Sequence, residues 1–431
     1  MATALTPVSG TNLLKTVYSS KVTESTIARG GSPLWNLIGS DKDGEGNLWA
    51  FPTVDSESPS GSADFAVAQD SGNNSTISAN QFQGGFKPIY STFSVSNAAI
   101  VQSASQKGGW GPLLKRAADS AIRMNGHVMS CLLFGTGYGE IGSIANSGFA
   151  TPIITLNDKG DVAKFMKNMK LVLATAAPNG ALRNAGAIGY VQSVDYIAGT
   201  VTVAATANAV AGTNISAIWA AVAQNDVICI AGCTDGSGTA LVPVGLPGWI
   251  QPDNNRPGGA DSFFNVNRSR NPLFLGGYYD DATAKASLDS ITDAAQFLTS
   301  YTQADNLTCG VNPKRWSAIA KTQQGNVRYV DQKGRAGMMF KALVVAVEGT
   351  EVKIFSDRYV NYAQTWVLDP NAFRMQTVQG QFGSFMDQGD GLHLCRQASD
   401  PGVEGRVWTL GAFKGVDPSK IANIRNLTTA P

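Results

Sequence analysis

Residues 103–135 read SASQKGGWGPLLKRAADSAIRMNGHVMSCLLFG and carry the helical pattern around which the chain is organised. Pro112 stands where the first turn of a helix tolerates proline, because its missing N–H would be unpaired there anyway. From that point the side chains of one helical stripe recur at spacings of three and four residues: Leu113, Leu114, Ala117, Ala121, Ile122, Asn125, Val128, Met129 and Leu132. The opposite side carries Lys115, Arg116, Asp119, Arg123 and His127.

This pattern predicts an amphipathic helix of about 22 residues, which at 1.5 Å per residue is roughly 33 Å long. That length exceeds the usual three or four turns of a globular helix. An ordinary core helix is the simplest interpretation of the segment alone. Its length and its division into an apolar and a basic side also suit a spine on which other layers pack.

The composition describes a large, nearly neutral protein. At 431 residues a single core is not expected, and about two to four substructures are. Lys and Arg total 33 against 32 Asp and Glu, a net charge of +1, which argues against a dedicated nucleic-acid binder. Only 15% of the residues are charged and 47 are glycine. Such a surface favours tight packing against copies of the same chain.

The sequence carries no pattern for export or membrane insertion. No basic segment followed by an apolar run opens it, and no stretch approaches about 18 consecutive apolar residues. The cysteines are odd in number and widely spaced, so a disulfide framework is not expected: Cys131, Cys229, Cys233, Cys309 and Cys395. We expect synthesis in a reducing cytoplasm and no membrane partner.

Residues 46–98 predict a long extended hairpin. Two β-leaning runs, GNLWAFPTV and GFKPIYSTFSV, flank a stretch of small and polar residues. Apolar residues still recur within it, unlike in a linker: Phe65, Val67, Ile77 and Phe82. Such a hairpin is marginal alone and its edges invite pairing, so we expect another chain to cover it. It has no Lys or Arg from residue 48 to residue 85, and its charges are acidic: Asp55, Glu57, Asp64 and Asp70.

The other segments differ in their local patterns. The N-terminal part has a loose apolar face that ends at two glycines and a proline. Residues 152–245 run in short β-leaning segments, which predict a small barrel or sandwich with one short helix near residues 161–169. A long Pro/Gly-rich loop follows, and residues 281–380 change to an α/β pattern. Within that part QQGNVRYVDQKGRAGMMFK predicts a mobile basic loop.

Three short motifs resemble ligand sites but lack the context that those sites need. GYGEIG at 137–142 matches G-x-G-x-x-G, yet a helix precedes it and no helix-like segment follows, which favours a turn. Residues 41–46 resemble half of a calcium loop, but the twelfth position is Pro52, which favours a turn at the entry of the hairpin. Cys229 and Cys233 have no histidine near them in sequence, so core cysteines are the better interpretation. With no catalytic motif present, we predict no enzyme, no cofactor and no metal.

Taken in order, the segments resemble the tailed-bacteriophage major capsid proteins with the HK-ninety-seven-type fold. The resemblance covers nearly the whole chain. Its best local matches are GLPGWI (245–250), FFNVNRSRNPLFLGG (263–277), CGVNPKRWSAI (309–319) and EGTEVKIFSDRYVNYAQTWVLDP (348–370).

The resemblance implies an α+β fold divided into consecutive segments. These are an N-terminal arm (1–45), an extended loop (46–98), a peripheral domain with its spine helix (99–151), an inserted β-rich domain (152–245), a connecting loop of the peripheral domain (246–280), an axial domain (281–385), and a return to the peripheral domain with a C-terminal tail (386–431). The insertion is expected on the outer surface, as in other members that carry one.

The resemblance also implies a structural protein that forms hexamers and pentamers of an icosahedral phage head around double-stranded DNA. The expected partners are other copies, a portal, scaffolding or cement proteins, and DNA held by non-specific contact, in a virion assembled in the host cytoplasm. The acidic loop would lie across a neighbouring subunit near Lys115, Arg116 and Arg123. The basic loop would point toward the capsomer axis through four cations: Arg328, Lys333, Arg335 and Lys341.

Two alternatives stay open. An encapsulin-type bacterial compartment would share the fold but package enzymes, and nucleic acid inside purified particles would separate the two functions. A β-rich adhesin or surface enzyme should be a stable soluble monomer with a secretion route, and the sequence shows none. Some members of the resembled family cross-link their shells through a lysine of the extended loop. Here the outer part of that loop has no lysine and Lys87 lies near its base, so no cross-link is expected.

Overall fold

The computed structural model describes residues 31–56, 62–68, 78–103, 113–176, 180–250, 262–281, 287–322, 328–333, 339–347, 349–386, 394–396 and 401–425. The predictions made for residues 1–30, Glu57, Asp70, Pro112 and Arg335 lie outside these residues. Within them the chain has the predicted α+β fold.

The helices and strands follow one another in several alternating groups. The α-helices are α1 (Pro33–Leu37), α2 (Phe65–Ala68), α3 (Asn97–Ser103), α4 (Leu113–Leu133), α5 (Ile215–Ile218), α6 (Leu246–Trp249), α7 (Pro272–Gly276), α8 (Ser287–Thr302) and α9 (Pro313–Thr322). The strands are β1 (Gly39–Gly44), β2 (Leu48–Ser56), β3 (Ser78–Gly85), β4 (Lys87–Ser96), β5 (Glu140–Ser143), β6 (Ile153–Thr155), β7 (Lys170–Ala174), β8 (Gly189–Asp195), β9 (Thr200–Ala204), β10 (Val227–Ile230), β11 (Ser262–Phe263), β12 (Val266–Asn267), β13 (Tyr278–Asp281), β14 (Thr308–Val311), β15 (Arg328–Lys333), β16 (Met339–Val347), β17 (Thr350–Ser356), β18 (Thr365–Leu368), β19 (Phe373–Val378), β20 (Ser384–Phe385), β21 (Leu394–Arg396), β22 (Gly402–Gly415) and β23 (Ile421–Arg425).

The peripheral sheet consists of β1, β4, β19, β20, β21 and β22, with the long strand β22 at its centre. Helix α4 lies across β4 and β22. Asn125, the one polar residue in the predicted apolar stripe, is fully buried at this contact. Its Nδ2 donates to the carbonyl of Ile89 (3.3 Å) and its Oδ1 accepts from Thr409 Oγ1 (2.6 Å). Because the side-chain N–H and C=O groups of Asn125 are both paired, this residue fixes the position of the helix relative to the two strands.

Helix α4 begins at Leu113 and ends at Leu133, so the predicted spine helix is confirmed over its described length. Lys115, Arg116 and Arg123 are exposed, in agreement with the pattern. The prediction was wrong for His127, which is 1% exposed. The last turns of α4 are enclosed on every side, because the inserted segment and the loop after β17 pack on what would otherwise be their solvent side.

The inserted segment is a six-stranded sheet in the order β5-β10-β7-β8-β9-β6. A bridge between Ile144 and Leu156 joins its first strand to its last, and the amide of Ala145 donates to the carbonyl of Thr155 (2.8 Å). The sheet therefore closes into a ring, which we call the inserted barrel. Apolar side chains with at most 1% exposure fill it: Ile141, Ile154, Phe165, Leu171, Leu173, Val191, Val201, Val203, Trp219 and Ile228.

The barrel starts earlier in the chain than the predicted insertion, because β5 follows directly on the GYGEIG turn. Gly137 and Gly139 have φ values of 103° and 71°, and a Cβ at Gly139 would lie 2.3 Å from the Cβ of Cys233. Only glycine fits there, so the dinucleotide-like motif is the expected turn. The short helix predicted near residues 161–169 is a 3-10 turn over Lys159–Lys164. Residues 41–44 belong to β1, so the turn into the hairpin begins only after Gly44.

The axial sheet has seven strands in the order β13-β23-β18-β14-β17-β16-β15. Helices α8 and α9 pack on it. Its core is a separate cluster of buried apolar side chains: Ile291, Leu298, Val311, Leu343, Ile354, Val367 and Ile424.

Strand pairing differs from the predicted segments at two places. Strand β23, predicted to return to the peripheral domain, lies inside the axial sheet between β13 and β18. Its first four residues are all buried, which suits a strand covered on both faces. Strands β19 and β20, predicted as axial, belong to the peripheral sheet. The alternating burial of β19 suits a sheet with one covered face.

Candidate assembly site

An extended hairpin is present, but its second strand was predicted wrongly: β2 pairs with β3, from Leu48 opposite Gly85 to Ser56 opposite Ser78. The predicted second run, GFKPIYSTFSV, forms β4 and pairs with β22 of the peripheral sheet. We call residues 48–53 and 80–85 the hairpin base, and residues 62–68 the distal arm. Each has a different environment, and the two are described in turn.

The hairpin base is covered by its own chain and not, as predicted, by another. Trp49 and Phe82 are 3% and 0% exposed. Their rings lie 6.3 and 5.4 Å from the ring of Trp249 in α6, and the ring of Phe264 lies 4.9 Å from Trp49. A Cβ at Gly84 would lie 2.6 Å from the Trp49 ring, so this glycine permits the close approach. Aromatic packing of this kind holds the base firmly to the subunit.

The distal arm is exposed to solvent. Asp64 precedes the short helix α2, and its Oδ1 accepts a hydrogen bond from the amide of Ala66 (2.9 Å). In that helix Phe65 is 77% exposed and Val67 is 51% exposed. Asp55 lies in the backbone of β2, between base and arm. Large apolar side chains carried so far into water are typical of a surface that is covered in an assembly.

The basic side of α4 carries the other half of the predicted contact. Lys115, Arg116 and Arg123 are exposed there, and Arg123 Nε donates to the carbonyl of Asp119 (3.2 Å). Helix α4 thus presents cations to solvent along its first three turns. Whether they meet the acidic arm of another copy stays a prediction.

The predicted axis loop is largely a strand pair. Residues 328–333 and 339–347 pair antiparallel as β15 and β16, with Arg328 opposite Val344 and Lys333 opposite Met339. The β-branched and aromatic residues of RYVDQK and MFKALVVAV favour this structure over a mobile loop. Lys341 lies opposite Asp331 in the same ladder. Three of the four predicted cations therefore lie on one β-hairpin at the edge of the axial sheet, and their role at a capsomer axis stays a prediction.

A polar cluster, buried at its centre and exposed at Arg358, joins the parts of the subunit, and the sequence did not reveal it. We call it the polar junction; its members are Ser32, His127, Ser130, Asp158, Asp161, Lys164, Asp357, Arg358, Tyr359 and Asn361. It brings together the spine helix, the 3-10 turn of the inserted barrel, the loop after β17 and the segment before α1.

His127 occupies the centre of the polar junction. Arg358 Nη2 donates to Tyr359 Oη (2.7 Å), and the Tyr359 hydroxyl donates to His127 Nδ1 (3.0 Å). The proton of the imidazole then lies on Nε2, which donates to the carbonyl of Lys164 (2.8 Å). Burial and the nearby Arg358 charge lower the pKa of His127 to about 4, although its bond to Lys164 acts in the other direction. A neutral histidine is thus built into the fold.

A buried ion pair anchors the inserted barrel to this junction. Lys164 Nζ lies 2.6 Å from Asp161 Oδ1, and both side chains are under 10% exposed. Asn361 Nδ2 donates to the second oxygen of Asp161 (3.1 Å), and the amide of Tyr362 donates to Asp158. Burial raises the pKa of Asp161 to about 6, against the opposing effect of Lys164. Both partners are therefore charged at neutral pH.

Asp357 ties the first described residues to the loop after β17. Its fully buried carboxylate accepts from Ser32 Oγ, from the amide of Leu34 (3.4 Å) and from the amide of Tyr359 (2.9 Å). Ser32 N in turn donates to Ser130 Oγ on α4 (3.1 Å). Burial raises the pKa of Asp357, because desolvation disfavours its charged form. The segment that leads to the N-terminal arm is thus held at both the spine helix and the axial part.

Potential metal ligands are dispersed over the described residues, and four of the five cysteines are buried. Among the described residues no group of three or more His, Cys, Asp or Glu side chains is placed to hold a metal ion. Burial raises the pKa of Cys131 and of Cys233 to about 12, so neither is a reactive thiolate at neutral pH. Over the same residues no helix is long and apolar enough to cross a membrane.

Comparison with known proteins shows which solved structures share this fold. No family model and no curated protein matches the chain. The capsid asymmetric unit of cyanophage A-1(L) matches with a TM-score of 0.53 at 12% identity, over 93% of this chain and 95% of that chain. The capsid of a native GTA particle has a TM-score of 0.42 at 12% identity, over 92% of this chain and 90% of its own. An encapsulin complex from Synechococcus elongatus has a TM-score of 0.43 at 7% identity, over 93% and 90%.

The chain therefore has the fold of a shell-forming protein. More particularly, this is the fold of the tailed-phage major capsid proteins, which the order of the sequence segments had implied.

Proposed function

We propose that this chain is the major capsid protein of a tailed phage, and that it assembles into hexamers and pentamers around double-stranded DNA. The observation that carries the proposal is the match to a phage capsid subunit over 93% of the chain. The exposed distal arm supports it, since Phe65 is 77% exposed at the end of a hairpin whose base is buried. Other copies are the main partner. Portal, scaffolding or cement proteins and non-specifically bound DNA complete the virion, which forms in the host cytoplasm.

The physical basis of assembly is burial of the arm. Obligate interfaces of this type cover on the order of 2,000–5,000 Å², whereas an exposed ion pair contributes only about 0–1 kcal/mol. Apolar contact therefore supplies the affinity. The acidic residues of the hairpin and the cations of α4 set which orientation is accepted. A head-to-tail contact closes into rings only when each copy presents the same geometry to the next.

Electron microscopy and sedimentation of the purified protein test this function. Closed shells or capsomer rings are expected. Particles purified from infected or induced cells should contain double-stranded DNA, and enzyme cargo without nucleic acid would instead indicate a bacterial compartment. A compact, fully folded monomer at all concentrations would contradict both shell functions.

Phe65→Asp should reduce the yield of shells by at least roughly tenfold, equal to about 1.4 kcal/mol per contact. Fully burying a phenylalanine contributes about 1.5–3 kcal/mol, and a carboxylate there would add a charge beside Asp64. Sedimentation of assembly reactions gives the yield. Ile197→Asp is the matched control, because Ile197 is 94% exposed at the tip of the β8–β9 turn of the inserted barrel. Equal losses in the two variants would contradict a specific role for the arm.

Purified particles should show no covalent ladder. Denaturing gels should give one band near 45.2 kDa, the mass of the chain, because the hairpin carries no lysine from residue 48 to residue 85. The single band should be seen whichever denaturing treatment is used to dissociate the particles before the gel. Bands at multiples of the monomer mass would contradict the prediction and would point to Lys87 as the donor.

A further inference from the structure

Strand β2 of the hairpin contains one residue more than the paired segment of β3. Pairing between β2 and β3 proceeds one for one from Leu48 opposite Gly85 to Val54 opposite Ala79. The next pair is Ser56 opposite Ser78. Asp55 is therefore an extra residue without a cross-strand partner, which is a β-bulge. A bulge bends its strand and increases the local twist.

The bulge lies where the held part of the hairpin ends. On one side the base is fixed by the aromatic packing of Trp49 and Phe82 and by a hydrogen bond from the amide of Gln83 to the carbonyl of Phe264 (3.1 Å). On the other side residues 62–67 are all exposed. Any bend at this position therefore redirects the arm and leaves the base in place.

We propose that the bulge at Asp55 aims the distal arm at the neighbouring copy of the chain. This inference rests on the proposed function. Phe65 is ten residues further along the chain, which at about 3.3 Å per residue corresponds to a reach of up to roughly 30 Å. A change of about 20° in the direction in which the chain leaves the base, the usual rotation between adjacent strands, would displace a point at that reach by roughly 10 Å. Apolar contacts need heavy atoms within about 4.5 Å, so a redirected arm misses its site.

The pairing offers a clean way to remove the bend. Deletion of Asp55 places Ser56 directly after Val54, so Ser56 still pairs with Ser78 and every other pair is kept. Asp55→Asn keeps the extra residue and removes only its charge. Insertion of one glycine between Ser78 and Ala79 gives Asp55 a partner and removes the bulge from the opposite strand.

The test compares shell yield by sedimentation and electron microscopy for the parent, the deletion, the insertion and Asp55→Asn. Tryptophan emission and the thermal midpoint of the unassembled subunits check that the Trp49–Trp249 packing is kept. We expect both bulge-free variants to fold and to lose shell yield at least roughly tenfold, or about 1.4 kcal/mol per contact. Asp55→Asn should lose clearly less, at most about fivefold, which is the effect of one exposed ion pair.

Three results would overturn the inference. Normal assembly of either folded bulge-free variant removes it and leaves the proposed function intact. An equal loss in Asp55→Asn assigns the effect to charge and also removes it. A parent chain that never assembles removes the proposed function and this inference together.

Discussion

Replacing Lys164 with methionine should lower the free energy of unfolding of the unassembled subunit by about 3–5 kcal/mol. Lys164 lies 2.6 Å from Asp161, and both side chains are buried. Removal of the cation leaves the Asp161 carboxylate buried. Among the described residues, the amide of Asn361 still donates a hydrogen bond to it. An uncompensated charge in a low-dielectric site costs far more than the pair contributes. Urea unfolding followed by tryptophan emission measures the change.

Arg406→Met is the matched control for this loss. Arg406 Nε pairs with Glu404 at 2.9 Å, but the two side chains are 43% and 28% exposed, and such a pair contributes at most about 1 kcal/mol. The deficit of Lys164→Met should also shrink as the pH falls toward about 6. Lys164 lowers the pKa of Asp161, which is about 6 in the parent, so without the cation this pKa is higher and the carboxyl is protonated first in the variant. Similar losses in the two variants would mean that the inserted barrel is not anchored by this pair.

Elements that depend on local order were predictable from the sequence. The spacing of Leu114, Ala121 and Val128 fixes the buried stripe of α4, because a helix repeats its faces every 3.6 residues. The run GNLWAFPTV likewise predicts β2, whereas its partner β3 lies in the stretch of small and polar residues and was not predicted as a strand. Asn125, which is polar but was predicted in the apolar stripe, is indeed buried there, since its side-chain N–H and C=O groups are both paired inside the subunit.

The polar junction could not be predicted, because its partners are remote in sequence. His127 bonds to Tyr359, 232 residues away, and Ser32 to Asp357, 325 residues away. Helical periodicity places His127 on the solvent side of α4, and only the fold shows that another segment covers that side. The one signal was the polar run SDRYVN at the end of β17, which supplies four members of the junction. Its density of hydrogen-bonding groups is unusual for the end of a buried strand.

The cover of the hairpin base was also beyond local reasoning. The sequence indicates that Trp49 and Phe82 need cover, and a second chain is a natural source. Trp249 of α6 and Phe264 of the turn between β11 and β12 fill that role, and both are remote from the hairpin in the sequence. Among the described parts of the hairpin, only the distal arm is exposed in the single subunit and left for another copy to cover, which was the prediction for the whole hairpin.

The unassembled subunit should lose about 3 kcal/mol of stability through His127 as the pH falls from 6.5 to about 4. The folded pKa of His127 is about 4 and its ordinary value is 6.5, so the unfolded chain takes up a proton first. Between these two pH values the proton binds to the histidine of the unfolded chain and not to that of the folded chain, so a falling pH favours the unfolded state. The physical reason is burial, which disfavours the charged imidazolium, and the nearby Arg358 cation acts in the same direction.

Comparison with His127→Gln isolates this contribution. Asp161 has its pKa raised to about 6, so its protonation stabilises the fold over part of the same pH range and opposes the effect of His127 in the parent. Asp161 is present in both proteins, and its contribution cancels in the difference between them. The parent should therefore exceed His127→Gln in stability at pH 7 by more than at pH 4.5, because glutamine does not titrate. A difference that stays constant across this range would mean that folding does not change the pKa of His127, and the neutral, buried imidazole assigned to the polar junction would then be wrong.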